Sequence, residues 1–204
     1  SCPKCTEKLI GIEIERVGLW ADGMALHYAN QKKEGKSRIG AEQILSFLEK
    51  EMNSEIIEGM NGKPVGLNAD VGKVSLEPGS QVELSTEPLK DLLKVRDTVD
   101  AFEREVAAIT DPLGVHWLDV GVNPIHKVDE IDVIPSTRYH IMTEYLGKRA
   151  RLGTSMMRRT SSVQINLDYT TEEEAIEMLR VSLAGAPLSY ALFSDSPFID
   201  GKPS

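Results

Sequence analysis

The sequence has 204 residues and carries 23 lysine and arginine side chains against 32 aspartate and glutamate side chains, a net charge of −9. The length suits a single domain over residues 1–204, and 41% hydrophobic with 27% charged residues is ordinary for a globular chain. The acidic balance argues against nucleic acid or an anionic membrane as a partner, because both attract clustered lysine and arginine. No run reaches the roughly 18 apolar residues that a membrane span needs.

Hydrophobic periodicity predicts alternating short strands and helices. In chain order the predicted elements are a strand (9–19), a helix (39–52), a turn (61–66), a strand with a bend at Pro78-Gly79 (74–85), a helix that opens at Thr86, a strand (115–122), a helix (138–146), a strand (162–168), and a helix from the capping box at Thr171 towards Phe193. No repeat and no linker interrupts this order. The fold class is therefore predicted as α+β, with a largely antiparallel sheet flanked by helices.

Three of the predicted strands carry polar side chains on one face and apolar side chains on the other. Glu13 and Glu15 oppose isoleucines on the first strand, and Glu83 shares a face with Gln81 and Ser85 on the second. The third strand presents Ser162, Gln164, Asn166 and Asp168 opposite Val163, Ile165 and Leu167. If the strands join one sheet, its apolar side packs on helices and its other side carries carboxylates and carboxamides.

A polar sheet face has two interpretations, and the pattern leaves both open. Many antiparallel sheets simply expose such a face to water. Carboxylates two residues apart on a strand, however, lie about 7 Å from each other and repel by roughly 2–3 kcal/mol at an effective dielectric near 20. The predicted faces carry no lysine or arginine to offset this repulsion. A divalent cation would offset it, and Mg²⁺, which prefers oxygen ligands and phosphates, is the natural candidate.

Two further groups of residues have weaker signals. Arginine suits bidentate binding of a carboxylate or phosphate, and the basic set comprises Arg138, Arg149, Arg151, Arg158 and Arg159, although a solvated helix end also explains some of them. Cys2 and Cys5 form a single CxxC without the further ligands that zinc needs, so the pair is interpreted as structurally incidental. With no signal peptide pattern and no glycosylation sequon, the expected compartment is the cytoplasm.

Several strings in this order resemble the plant-type glutamate–cysteine ligase family, which is shared with many bacteria. They are IGIEIE at 10–15, SLEPGSQVELS at 75–85, IPSTRY at 134–139, MMRRTSSVQINLD at 156–168, SPF at 196–198 and GKP at 201–203. The strings span nearly the whole chain. Together they resemble about the first half, the N-terminal portion, of the family's catalytic unit.

The resemblance implies a glutamine-synthetase-like catalytic fold whose antiparallel sheet forms one wall of an ATP and metal site. It implies ATP- and Mg²⁺-dependent ligation of the γ-carboxylate of L-glutamate to the amine of L-cysteine through an acyl phosphate, the first step of glutathione-type thiol synthesis. By motif position, Glu13, Glu15 and Glu83, with Glu77 less firmly, would bind Mg²⁺. Gln164 and Asn166 would hold metal, water or nucleotide phosphate. Arg138 and Arg159, with Thr160 beside them, would hold glutamate or the transferred phosphate.

Two alternatives to this activity remain open at the level of sequence. One is a carboxylate–amine ligase with a different amine acceptor, since no acceptor pocket is visible. The other is a non-catalytic module that binds Mg-nucleotide or glutamate. Exposed edges of a partial sheet would also allow the chain to self-associate.

Overall fold

The computed structural model describes residues 8–33 and 35–204. The CxxC pair of Cys2 and Cys5 lies outside the described residues, so its interpretation stays a prediction.

The described chain alternates strands and helices, as the periodicity predicts. The strands are β1 (Ile10–Trp20), β2 (Gln31–Lys33), β3 (Lys36–Arg38), β4 (Glu55–Glu58), β5 (Pro64–Ala69), β6 (Gly72–Leu76), β7 (Val82–Thr86), β8 (Val115–Leu118), β9 (Val163–Leu167), β10 (Phe198–Ile199) and β11 (Lys202–Pro203). The helices are α1 (Ala41–Glu51), α2 (Leu92–Thr110), α3 (Thr137–Arg149), α4 (Gly153–Arg159) and α5 (Glu172–Phe193).

One seven-stranded sheet organises the molecule, and every strand pair in it is antiparallel. The order runs β4-β5-β6-β7-β1, and the long strand β1 then has two partners in succession on its other side. Its first half, from Ile10 to Ile14, pairs with β9, and its second half, from Val17 to Trp20, pairs with β8. The predicted class, α+β with a largely antiparallel sheet, is confirmed.

The core lies between one face of this sheet and helices α1 and α2. Ile44, Leu45 and Leu48 of α1 are almost fully buried, as their helical spacing predicts. They pack in one cluster with Leu67, Val74 and Leu84 of the sheet and with Phe102 and Val106 of α2. Burial of each such side chain is worth about 1.5–3 kcal/mol, so this layer fixes the sheet and leaves its opposite face for polar groups.

The strand predicted over 115–122 ends at Leu118. Three other predicted boundaries are wrong because a local turn overrides the hydrophobic pattern. The strand predicted over 74–85 is a hairpin, since the chain reverses between β6 and β7 rather than bending at Pro78-Gly79. Helix α2 begins at Leu92 and not near Thr86, because the Asp91 carboxylate caps it by accepting the Lys94 N–H. The turn predicted over 61–66 ends early, and β5 begins at Pro64.

Helix α5 follows β9 and differs from the core helices in its surroundings. It spans 22 residues and begins where predicted, with the Thr171 hydroxyl accepting the Glu174 N–H. None of its residues is buried, although its second half is strongly apolar. Among the helices that the structure describes, α5 included, none is long and apolar enough to cross a membrane.

Candidate functional site

The strand register places the predicted acidic residues on one face of the sheet, the face opposite helices α1 and α2. Glu15 of β1 lies directly across from Glu83 of β7, and Glu13 lies across from Gln164 of β9. Directly paired residues of antiparallel strands project to the same side, with Cβ atoms about 4.5–5.5 Å apart. This surface, formed by Glu13, Glu15, Ser75, Glu77, Glu83, Ser85, Gln164 and Asn166, is called the polar face below.

Two serines hold the Glu83 carboxylate. The Ser75 hydroxyl, from β6, donates to Glu83 Oε1 at 3.0 Å, and the Ser85 hydroxyl donates to the same oxygen at 3.2 Å. Glu83 is only 9% exposed, so a carboxylate there needs such donors. Both bonds go to one oxygen, which leaves Oε2 of Glu83 free of these two donors.

Strand β9 and Ser162, the residue before it, hold the carboxylates of Glu15 and Glu13. The Ser162 N–H donates to Glu15 Oε2 at 2.8 Å, and the Gln164 amide donates to Glu15 Oε1 at 3.4 Å. The Asn166 amide donates to Glu13 Oε1 at 3.1 Å. The two carboxamides thus act here as donors that orient carboxylates, whereas the sequence suggested contacts to metal, water or phosphate.

Glu77 stands at the end of β6, where the hairpin turns, and faces helix α3. The Tyr139 hydroxyl donates to Glu77 Oε1 at 3.2 Å, and the exposed Arg138 guanidinium contributes a nearby positive charge. Burial, together with the charges of Glu83 and Glu15, raises the pKa of Glu77 to about 7 against these two favourable contacts. Burial and the adjacent Glu77 also raise the pKa of Tyr139.

The pKa of Glu15 depends on the charges of neighbouring carboxylates on the polar face. Burial raises the pKa of Glu15, and the charges of Glu83 and Glu13 raise it further, while the N–H of Ser162 acts in the opposite direction. Glu77, Glu83, Glu15 and Glu13 therefore form one coupled group of negative charges. The described ion pairs supply no lysine or arginine partner to any of these four carboxylates.

The donor set of the polar face fits a hard divalent cation in its chemistry. Carboxylate oxygens are the ligands that Mg²⁺ prefers, and a bound cation would relieve the mutual repulsion that adds to burial in raising the pKa of Glu15 and of Glu77. Within the part of the chain that the structure describes, no three Asp, Glu, His or Cys side chains lie close enough together to hold a metal ion. The strands thus set the donors on one surface without gathering three of them around one point.

One cation does lie on the polar face, contrary to the expectation of an entirely acidic and neutral surface. Lys73 of β6 pairs in register with Ser85 and is exposed. The sequence pattern missed it because the predicted strand began at Val74, whereas β6 begins at Gly72. A lysine at this position adds a positive charge at the margin of the carboxylate group.

The predicted arginines lie in two separate places. Arg138 lies in the first turn of α3, beside Glu77 and next to the polar face. Arg159 is 5% exposed and forms an ion pair with Asp200 at 2.9 Å, and it also donates to the Asn123 carbonyl at 3.3 Å. Its charge is not among those that shift the pKa of Glu15 or Glu77.

Thr160 does not present its hydroxyl to the polar face. The Oγ1 atom donates to the Met156 carbonyl at 2.6 Å, within the last turn of α4. Its backbone carbonyl accepts the Gln81 amide at 2.7 Å, which ties α4 to the hairpin. The structure therefore brings Glu13, Glu15, Glu77, Glu83, Gln164, Asn166 and Arg138 together, and it places Arg159 and Thr160 outside that group.

Comparison with known proteins identifies the family. Residues 10–204 match the family model described as glutamate-cysteine ligase family 2 (GCS2). The chain belongs to glutamate-cysteine ligase family 2. It is 37% identical over 164 residues to the chloroplastic glutamate–cysteine ligase of Arabidopsis thaliana, a match that covers 80% of this chain and 31% of the relative.

A second curated relative gives a similar match. The chloroplastic enzyme of Medicago truncatula is 39% identical over 150 residues, which covers 74% of this chain and 29% of the relative. The chain thus spans about a third of the length of these curated relatives. A solved glutamate–cysteine ligase of Francisella tularensis in complex with AMP is 11% identical, with a TM-score of 0.47 over 88% of this chain and 30% of that one.

The expected cytoplasmic location is wrong by this comparison. The curated relatives of glutamate-cysteine ligase family 2 named above are chloroplastic proteins. The expectation depended on the absence of a targeting pattern, and targeting segments are removed from mature proteins. An absent pattern in the sequence therefore could not decide the compartment.

Sequence reasoning placed Ser85 and Ser162 on the polar strand faces but gave them no part in orienting carboxylates, and it missed Ser75 and Tyr139 altogether. All four residues lie inside the motif strings. Their role follows only from which strands pair. A signal was present in the strict alternation of Ser75 with Glu77 and of Glu83 with Ser85, which puts each serine on the face of its neighbouring glutamate.

Proposed function

We propose that the polar face is the metal- and nucleotide-binding wall of an ATP-dependent glutamate–cysteine ligase. The observation that carries this proposal is the direct cross-strand pairing of Glu15 with Glu83, two carboxylates within the range that matches glutamate-cysteine ligase family 2. Like charges directly opposite each other destabilise a sheet unless something compensates them. A divalent cation bound with nucleotide phosphates would supply that compensation.

In this proposal Glu13, Glu15 and Glu83 bind Mg²⁺, and Glu77, in the hairpin of β6 and β7, supplies a further carboxylate ligand. The bound ion would neutralise charge on the nucleotide phosphates and thereby favour phosphoryl transfer. Ser162, the carboxamides of β9 and the serines of β6 and β7 would keep the carboxylates oriented, since each already donates to one of them. Side-chain rotation would then gather the oxygens on the ion while the strands stay in register.

The chemistry has two steps, in which the substrates bring the reacting atoms. An oxygen of the γ-carboxylate of glutamate attacks the γ-phosphorus of ATP, and ADP leaves as the γ-glutamyl phosphate forms. The amine of cysteine then attacks the acyl carbon, loses a proton, and displaces inorganic phosphate to leave an amide. Arg138 would bind an anionic oxygen of glutamate or of the transferred phosphoryl group, because it is exposed beside the carboxylate group.

Arg159 has a different part in the proposal from the one that motif position suggested. Its guanidinium already has a carboxylate partner in Asp200, so it would reach a substrate only by giving up that ion pair. Its buried position makes it a support for the loop at Asn123 and for the C-terminal hairpin. The substrate contacts are therefore assigned to Arg138 first.

Metal binding by the purified 204-residue chain tests the proposal. The chain is expected to bind Mn²⁺, used as a spectroscopic substitute for Mg²⁺, and to bind ATP more tightly when the ion is present. Glu83→Gln should weaken Mn²⁺ binding by at least about tenfold, because even residues that orient a ligand are worth about 10–100-fold. Phosphate release should require ATP, glutamate and cysteine together and should be lost in the same variant.

The matched control is Glu55→Gln, which neutralises a carboxylate at an exposed end of β4. It should bind Mn²⁺ as the wild type does. Undiminished Mn²⁺ binding in Glu83→Gln would refute the metal role of the polar face. Tight Mn²⁺–ATP binding without phosphate release would support binding at the polar face but would refute the ligase activity of this chain.

A further inference from the structure

A cavity of about 290 Å³ lies between helix α2, strands β7 and β8, and the middle of β1. Its apolar wall includes Val82 of β7 and Phe102 of α2, both almost fully buried, and the ring of Trp117 from β8. The Trp117 indole N–H already donates to the Thr110 hydroxyl at 3.0 Å, so this ring offers the cavity only apolar surface. The volume is close to the lower end of the roughly 300–1,000 Å³ of small-molecule sites. The cavity therefore has room for a small ligand with an apolar body.

The cavity is separate from the polar face, because it lies on the other side of the sheet. Arg16 of β1 and Val82 of β7 both line the cavity, and they are paired in register. The preceding residue of β1, Glu15, pairs with Glu83, and these two side chains project to the opposite side as part of the polar face. A ligand in the cavity would thus contact the same two strands as the proposed metal site without sharing a side chain with it.

Three carboxylates and one guanidinium line the cavity as well. The side chains of Glu103, Asp111 and Asp119 are 40%, 61% and 81% exposed, whereas the side chain of Arg16 is 15% exposed. The negative charges therefore lie near water, and the positive charge lies deeper. A ligand that enters the cavity meets the carboxylates first.

The Arg16 guanidinium already has its anionic partners. Its Nη2 atom donates to Glu103 Oε1 at 2.7 Å, and its Nη1 atom lies 3.3 Å from Asp119 Oδ1. An anionic ligand would have to pass the carboxylates and displace one of these two. Asp111 lies 3.5 Å from His116 through one oxygen, so among the described ion pairs each of the three carboxylates uses one oxygen and keeps the other for a further donor. The charges of the cavity thus favour a cationic ligand.

We propose that this cavity binds a small organic cation, a primary ammonium group on an apolar or aromatic body. The ammonium group lies among the carboxylates of Glu103, Asp111 and Asp119, and the body packs against Phe102 and Trp117. Aromatic rings attract cations as well as apolar groups. An anionic ligand of the same shape is repelled by the carboxylates, and a neutral one gains only the apolar contact. This inference goes beyond the proposed ligase function and does not depend on it.

Binding of benzylammonium tests the proposal, with benzyl alcohol and benzoate as neutral and anionic ligands of the same shape. The chain has two tryptophans, so Trp20→Phe leaves Trp117 as the fluorescent reporter of the cavity. Benzylammonium should change this fluorescence and saturate at millimolar concentrations or below. It should bind at least about tenfold more tightly than benzyl alcohol, since a hydrogen bond to a charged group is worth about that factor, and benzoate should bind most weakly. Calorimetry on the wild-type chain measures the same three affinities without the Trp20 substitution.

Two neighbouring alanines of α2 provide a matched pair of variants. Ala107 lines the cavity, whereas Ala108 is exposed and does not line it. Ala107→Phe fills the cavity without changing its charge and should weaken benzylammonium binding at least about tenfold, the loss expected when the ligand no longer fits. Ala108→Phe should bind as the wild type does. The pair also distinguishes the cavity from the polar face, whose carboxylates attract cations too.

Asp111→Asn tests the charge of the cavity. It should weaken the binding of benzylammonium and leave the affinity for benzyl alcohol unchanged. Asp97→Asn removes an exposed carboxylate of α2 that pairs with Arg96 away from the cavity, and it should keep both affinities. Equal affinities of the wild-type chain for the three ligands, or no saturation by benzylammonium at millimolar concentrations, would overturn the proposal. So would undiminished benzylammonium binding in both Ala107→Phe and Asp111→Asn.

Discussion

At the scale of single residues, the polar face depends on how each carboxylate is held. Glu83 accepts two serine hydroxyls on one oxygen, and Glu15 accepts a backbone N–H and a carboxamide. Glu77 differs, because its one described donor is the Tyr139 hydroxyl and two other carboxylates act on it. Among the carboxylates of this group, Glu77 is therefore the one whose ionisation most clearly destabilises the folded state.

The raised pKa of Glu77 predicts a stability that falls as the pH rises. In the folded chain its pKa is about 7, against an ordinary value of 4.5, so the folded state holds the proton more tightly than the unfolded state does. The stabilisation is fully present below about pH 4.5 and is lost as the pH rises through about 7. The shift corresponds to a loss of about 3 kcal/mol in the free energy of unfolding. Urea unfolding without divalent ions at several pH values measures it.

Glu77→Gln separates this effect from other titrations. Glutamine is neutral and can still accept a hydrogen bond from the Tyr139 hydroxyl. The free energy of unfolding of the variant should therefore fall much less as the pH rises, and the variant should be more stable than the wild type at pH 7. Glu55→Gln, at the exposed end of β4, should keep the wild-type pH dependence. A wild-type free energy of unfolding that rises over this pH range would contradict the raised pKa.

At the scale of elements, the hairpin of β6 and β7 determines where Glu77 and Glu83 lie. Its turn closes through the Glu77 N–H, which donates to the Gln81 carbonyl at 2.8 Å, and it lies against α4. A Cβ at Gly79 would lie 2.1 Å from the Arg158 carbonyl, so this position needs glycine for close approach. Ser80 follows it in the left-handed region, with φ at 68°.

Ser80→Gly should stabilise the hairpin. Ser80 is 2% exposed, and its hydroxyl has no hydrogen-bond partner among the described residues. Glycine removes both a left-handed backbone cost of roughly 1–2 kcal/mol and a buried unpaired hydroxyl, at the expense of greater freedom in the unfolded chain. We expect a net gain of about 1 kcal/mol in the free energy of unfolding, measured by urea denaturation.

The control for this prediction lies one residue earlier in the same turn. Gly79→Ala should destabilise the chain, because the added methyl group meets backbone that cannot move without shifting α4. A loss of stability in Ser80→Gly would show that the buried serine side chain contributes more by packing than its strain costs.

At the scale of the whole molecule, Arg159 links parts of the chain that are far apart in sequence. It joins the end of α4 to the carbonyl of Asn123 and to Asp200 in the β10–β11 hairpin. The Gly201 N–H also donates to the Pro124 carbonyl at 2.9 Å. One buried guanidinium thus holds the C-terminal hairpin against a loop about 75 residues earlier in the chain.

Asp200→Asn should loosen this link. It leaves the buried Arg159 charge without its carboxylate, which we expect to lower the free energy of unfolding by about 1–3 kcal/mol, the cost of an uncompensated buried group. Hydrogen exchange should increase at the backbone N–H groups of Asn123 and Gly201. Glu144→Gln removes the exposed pair with Lys148 and should change stability by less than about 1 kcal/mol. Equal effects of the two substitutions would contradict a structural role for Arg159.

The sequence by itself determined the elements whose pattern is local. The alternation of Glu13 and Glu15 with isoleucines predicted both β1 and its polar face, and the spacing of Ile44, Leu45 and Leu48 predicted the buried side of α1. The motif strings predicted the family. These succeed because alternation and helical periodicity depend only on neighbouring residues.

Only the tertiary structure decided which residues meet. The pairing of Glu15 with Glu83, the two serines on Glu83 and the partner of Arg159 all depend on strand register and on contacts between distant segments. The exposure of α5 depends on packing as well, since an apolar helix has the same sequence pattern whether or not another surface covers it. Non-local contacts of this kind leave no periodic signature along the chain.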